Sequence, residues 1–258
     1  MKRALPVFCA LSLFLMGCVS SPASRSDINA RIDTRGGTAL CDAVLANDVY
    51  RVNYLLENGA IPNVTNSGGI TALGFAVEKN YLDIAKVLLS NGADPDVVFV
   101  LEGSVTPLHI AATLGFQDMV ALLLASFADP NVMDAEGEWP LTLAVFKEYT
   151  AIVSLLLDHG ADPNVDNQIG WSCLHIAVES GNLEIASALI SKGADVNRQI
   201  LTQRLTPLHF AVGYRSKPIL ELLLANGADP SITDSGGWTP LMFAISKQYT
   251  EMLEPLGM

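Results

Sequence analysis

Thr206-Pro207-Leu208-His209 opens a unit that runs through Leu222-Leu223-Leu224 and closes on Gly227-Ala228-Asp229-Pro230, and the unit recurs along most of the chain. The opening phrase returns as Thr71-Ala72-Leu73, Thr106-Pro107-Leu108-His109, Trp139-Pro140-Leu141, Ser172-Cys173-Leu174-His175 and Thr239-Pro240-Leu241, preceded by Thr38-Ala39-Leu40. Its central leucines, at 40, 73, 108, 141, 174, 208 and 241, are spaced by 33, 35, 33, 33, 34 and 33 residues. The closing phrase keeps step as Gly59-Ala60-Ile61-Pro62, Gly92-Ala93-Asp94-Pro95, Ala128-Asp129-Pro130, Gly160-Ala161-Asp162-Pro163 and Gly193-Ala194-Asp195-Val196. Two phrases locked in phase define an internal repeat.

Each unit has a physical reading. A Thr hydroxyl caps a helix, and Pro is tolerated in the first turn because the N–H it lacks has no partner there. Leu208 and Ala211 fall on one helical face, as do Leu108 and Ala111. The second helix carries the leucine run and stops at Gly, which accepts the left-handed conformation of a helix end. One such pair cannot bury its apolar side alone, so neighbours stack into a quasi-one-dimensional array. The expected fold is an all-α solenoid of about seven repeats.

The period and the Thr-Pro-Leu-His signature resemble the ankyrin repeat over residues 35–258. The resemblance implies helix-turn-helix units joined by β-turn or hairpin loops. It also implies partners held by loop tips and by the exposed side of the first helices, which line a concave face. His109, His175 and His209 share one place in three copies, and the family's histidine there bonds loop backbone to a neighbouring repeat.

The chain's first residues are a different kind of sequence. Lys2 and Arg3 precede the 13-residue apolar stretch Ala4 to Met16, too short for the roughly 20 residues of a membrane span and proportioned like a signal peptide. Leu15-Met16-Gly17-Cys18 follows and resembles the lipobox of bacterial lipoproteins, which implies cleavage before Cys18 and lipid on its sulfur. The reading divides the chain into a signal at 1–17, a lipidated Cys18 with a polar tether at 18–34, and the repeats at 35–258. An ordinary cleaved signal with a chance Cys is the alternative. A lipoprotein places the chain in the bacterial envelope, and Val19 and Ser20, with no Asp, imply the outer membrane facing the periplasm if the cell is Gram-negative.

Net charge is −12, and loss of the two cations Lys2 and Arg3 takes it to −14. Such a surface repels nucleic acid and anionic lipid, leaving the lipid anchor as the membrane contact and a neutral or basic protein as the fitting partner. No Gly-rich phosphate loop, Gly-x-Ser-x-Gly or His-Glu-x-x-His occurs. Histidines one repeat apart, at helix spacings of about 8–10 Å, do not converge on one metal, and His159 stands alone near a helix end. The expectation is a monomeric interaction module, not an enzyme, without metal or cofactor. It would serve as inhibitor, immunity protein or scaffold. An enzyme of unrecognised type and an effector acting on host proteins are the alternatives, the latter disfavoured by the lipobox.

Mapped by repeat phase, the concave row holds Ile70, Glu78 and Lys79; Val105, Thr113 and Leu114; Glu136, Glu138, Phe146 and Lys147; Trp171 and Glu179; Leu205 and Tyr214; Trp238 and Lys247. Phe146, Trp171, Tyr214 and Trp238 fall in successive repeats, and aromatics dominate binding hot spots. With Leu114 and Lys147 they form the candidate protein-binding set. Trp171 and Trp238 divide evenly between packing on their own repeat and binding. The loop from Asp96 to Val105 has two extra residues and reads Val97-Val98-Phe99-Val100-Leu101, which makes an exposed apolar tip at Phe99 a rival site. A second loop has one extra residue around Ile200 and Leu201.

Three further expectations follow. Phe127 replaces the helix-ending Gly and must accept a strained positive φ or end the helix differently. Pro255 cuts the last repeat's second helix short and leaves Glu251 and Glu254 as a polar cap. Cys41 and Cys173, in the first and fifth repeats, lie too far apart to bridge. For the anchor, Cys18→Ser is expected to release a soluble chain or leave an uncleaved precursor. Membrane fractionation and gel mobility check this, and an unchanged pattern would remove the lipid from the reading.

Overall fold

In the computed structural model, residues 38–66, 68–99 and 103–257 are described. The signal, Cys18, the tether, Val100 and Leu101 lie outside them. The described residues form six complete helix pairs: α1 (Ala39–Leu45) with α2 (Val49–Glu57), α3 (Ala72–Glu78) with α4 (Leu82–Ser90), α5 (Pro107–Leu114) with α6 (Gln117–Ala125), α7 (Pro140–Phe146) with α8 (Thr150–Asp158), α9 (Cys173–Ser180) with α10 (Leu183–Ser191), and α11 (Pro207–Gly213) with α12 (Lys217–Ala225). A seventh first helix, α13 (Pro240–Lys247), is followed by a single 3-10 turn, Thr250–Met252. The second helix of that last repeat is cut short, as Pro255 implies. Glu254 faces water and Glu251 pairs with Arg215.

Local chemistry sets these boundaries. Hydroxyls of Thr38, Thr71, Ser172, Thr206 and Thr239 accept the backbone N–H three residues on, closing the first turns of α1, α3, α9, α11 and α13. One positive-φ residue joins the helices of every pair: Asn47, Asn80, Gly115, Glu148, Gly181, Arg215 and Gln248. First helices pack on first helices and second on second, so each pair touches only its neighbours. Leu40, Leu73, Leu108, Leu141, Leu174 and Leu208 are all at most 3 % exposed, whereas Leu241, in the last repeat described, is only half-buried. Cys41 and Cys173 are free, buried thiols on α1 and α9, and burial pushes both thiols up in pKa.

The two longer loops meet the expected exposed apolar tips only in part: Val98 and Leu201 are exposed, but Phe99 and Ile200 turn inward. In four regular loops an Asx residue closes the turn. The Asn66, Asp134, Asn167 and Asp234 backbone N–H groups donate to the carbonyls of Ile70, Glu138, Trp171 and Trp238, while their Oδ1 atoms accept the N–H of the same four residues. In the longer loops Phe99 and Ile200 hold that place, donating to Val105 O at 2.9 Å and Leu205 O at 3.0 Å. Neither side chain can close an Asx turn, and both are 1 % exposed. Phe99 is therefore a plug and not an exposed contact. It fills the space beside Gly74, where an added Cβ would meet its Cζ at 2.6 Å. The extra residues also reach the following loop, with Ala135 N–H on Gly103 O and Ser235 N–H on Gln203 O.

Phe99→Ala is expected to lower unfolding free energy by about 3–5 kcal/mol, the range for a truncated core aromatic. Gly74→Ala should destabilise the intact protein by overlap and lose that penalty in the Phe99→Ala background. Denaturant melts of the four proteins measure this coupling, and simple additivity would show that the two sites do not share a cavity.

Candidate protein-binding surface

The first helices carry two kinds of side chain at their exposed ends, those that tie repeats together and those that do not. Thr106 Oγ1 and His109 Nδ1 are 2.8 Å apart, and His109 Nε2 lies 3.3 Å from Glu138 O. His175 repeats this with Ser172 at 2.7 Å and Leu205 O at 3.2 Å, and His209 with Thr206 at 2.8 Å and Trp238 O at 3.0 Å. A carbonyl only accepts, so Nε2 carries the proton and Nδ1 accepts from the hydroxyl. Burial holds all three imidazoles below their usual pKa, His175 down to about 4. These histidines are neutral struts whose nitrogens are both engaged, as the resemblance implied. No group of three or more His, Cys, Asp or Glu able to hold a metal occurs among the described residues.

The fourth repeat lacks this strut, with Thr142 in the histidine place. Its neighbour Glu138 occupies a position that is apolar in the other loops, as Ile70, Val105, Trp171, Leu205 and Trp238. Glu138 is buried, accepts the Thr142 hydroxyl at 2.7 Å, and faces the Gln168 N–H of the next loop at 3.5 Å. It thus belongs to a junction and leaves the concave row. Burial raises its pKa, and Asp134 and Glu136 add to the rise against the hydrogen bonds that lower it.

Of the candidate binding residues, Phe146 (55 % exposed), Tyr214 (51 %) and Trp238 (45 %) present large apolar surface, and Lys147 is exposed with its Nζ 6.0 Å from the Phe146 ring centre. Leu114 is half-buried. Trp171 is also half-buried and packs edge-on against Phe210 at 4.9 Å, with Phe210 beside His175 and Tyr214. Packing therefore accounts for much of Trp171. Tyr214 donates its hydroxyl to Glu179 Oε1 at 2.9 Å, and burial together with that carboxylate raises its pKa. Repeat phase did not mark the exposed loop residue Ile169, while Leu201, in the longer loop noted from the sequence, is exposed. An added Cβ at Gly170 would lie 3.5 Å from Leu201, so these neighbouring loop tips adjoin.

The pattern of ankyrin repeats (3 copies) matches residues 10–98 and 108–200, and that of ankyrin repeats (many copies) matches 189–244. The chain belongs to the ankyrin-repeat family. Its helical solenoid is similar to the crystal structure of the ankyrin repeat domain of Bcl-3, a member of the IκB family. The likeness has a TM-score of 0.75 at 29 % identity, covering 85 % of this chain and 99 % of that one. Among curated proteins it is similar to a fowlpox virus ankyrin repeat protein, 45 % identical over 58 residues, and to the mouse 2-5A-dependent ribonuclease, 46 % identical over 59. Each match covers 22 % of this chain and 8 % of the relative, less than two repeats. They carry the ankyrin unit alone. An ankyrin array is a protein–protein interaction module.

The raised Glu138 pKa gives a pH test. A carboxyl that titrates higher when folded favours the fold while protonated, and that contribution is lost as pH rises through the folded pKa. Glu138→Gln should therefore melt higher than the parent at neutral pH, with the gap closing below about pH 4.3, the unperturbed Glu value. Melting curves across that range check it, and a gap that widens in acid would reverse the assignment.

Proposed function

We propose that this ankyrin array is a lipid-anchored module of the bacterial envelope that binds one neutral or basic protein across its concave row and loop tips, inhibiting, neutralising or scaffolding it. One observation carries the binding face: Phe146 and Tyr214, in different repeats, remain 55 % and 51 % exposed, although Tyr214 also bonds Glu179 of the preceding repeat. Rigid half-exposed aromatics at an interface are the residues most often dominant in affinity. The acidic balance favours a partner of opposite or no charge. The envelope anchor rests on Leu15-Met16-Gly17-Cys18. The reading includes no catalysis, cofactor or nucleic acid, and the chain acts as a monomer.

The test uses the lipid-free chain and detergent-solubilised envelope proteins, with calorimetry on the partner recovered. Phe146→Ala with Tyr214→Ala is expected to weaken binding by about 2 kcal/mol or more and to leave the melting curve nearly unchanged. Leu141→Ala, a core truncation, should instead lower stability by about 2–5 kcal/mol and binding only in proportion to unfolding. Full affinity in the double aromatic variant would move the site off the concave row.

A further inference from the structure

The junction between the second and third repeats departs from the others in two ways that both act against the fold. At four junctions an Asn reaches forward: Asn63, Asn131, Asn164 and Asn197 accept the N–H of Asp94, Asp162, Asp195 and Asp229. The same side chains donate to the carbonyls of Gly92, Gly160, Gly193 and Gly227. At the second-to-third junction the Asp96 carboxylate accepts from Asp129 N–H at 2.9 Å but, unlike an Asn side chain, has no N–H to donate, so the rung is single. The carbonyl left without that rung belongs to Phe127. This residue stands where five other copies have Gly, at φ 66°, and is 91 % exposed.

Neither change benefits the folded chain. A bulky residue in the left-handed region is strained by about 1–2 kcal/mol, and an exposed ring gains no burial in return. Asp96 adds a third carboxylate beside Asp94 and Asp129, and its burial and those charges raise its pKa. Local rules broken together without compensation within the fold mark a place used for something else. The surroundings define what would use it. Asp94, Asp129 and Asp162 are exposed, and no ion pair reaches them or Asp96 among the described residues. Lys192, a cation at this end of the second helices, is already paired with Asp158 at 2.8 Å.

We propose that Phe127, on the loop edge that also carries Asp94, Asp96, Asp129 and Asp162, is the anchor of a second protein-docking edge, separate from the concave row, that takes a basic segment carrying an apolar recess. The ring enters the recess while Lys and Arg side chains beside it meet the carboxylates. Anionic membrane is excluded as occupant by the same charges.

The test compares the protein with Phe127→Gly and Asp96→Asn, each of which restores the regular repeat, and with the concave double variant Phe146→Ala/Tyr214→Ala. The probe is an array of Lys- and Arg-rich peptides with and without interspersed leucine and phenylalanine, followed by calorimetry on the tightest. Expected are peptides whose binding needs both charge and apolar residues. Their affinity falls at least tenfold in Phe127→Gly, falls also in Asp96→Asn, and is unchanged in the concave variant. Both restoring variants should melt no lower than the parent, so the loss is not unfolding. Equal binding by Phe127→Gly, loss only in the concave variant, absence of any such peptide, or binding instead to phosphatidylglycerol vesicles would each overturn the proposal.

Discussion

A two-helix unit that cannot bury its own apolar face sets the terms for everything else in this protein. Leu40 and its counterparts in later repeats reach near-zero exposure only because another unit lies against them, and Leu241, last in the series, stays half-exposed. The core is therefore a strip that grows by addition and has no centre. The polar ties follow from the same requirement. Stacked units bring loop backbone to loop backbone, and buried amides and carbonyls must find partners there. The histidine struts and the asparagine rungs supply them, on different edges of each unit.

Against that regular background the irregular junctions are the informative ones. Where histidine is missing at Gly74, a lengthened loop turns the Phe99 ring inward to pack against that glycine. Where it is missing at Thr142, a buried carboxylate bridges to the next loop. Both solutions restore contact by different chemistry. At Phe127 and Asp96 nothing restores it, and that difference separates repair from use.

Much of the fold was legible in the sequence because period, cap and helix stop are local signals repeated seven times, so chance agreement vanishes. The candidate face was legible only in outline. Phe146 and Tyr214 lie exposed at the places repeat phase gave them. Phe99 does not, because an apolar run in a loop has the same letters whether it points to water or into the next repeat. Glu138 was placed on the concave row for a similar reason. Phase assigns a position, but its burial depends on the neighbouring Thr142 and Gln168, which no periodicity reports. The strain at Phe127 was visible as a missing Gly, while the single rung beside it required seeing Asn63 and its counterparts bond across units.

The struts and rungs share a direction. His109, His175 and His209 each grip a carbonyl of the following loop, and Asn63, Asn131, Asn164 and Asn197 each grip the following main chain at both an N–H and a carbonyl. A side chain that holds only its successor's backbone does not read its successor's sequence. Those ties survive duplication, deletion or exchange of whole units during evolution without matching mutations, unlike side-chain pairs across the seam such as Arg198–Asp166 and Tyr214–Glu179.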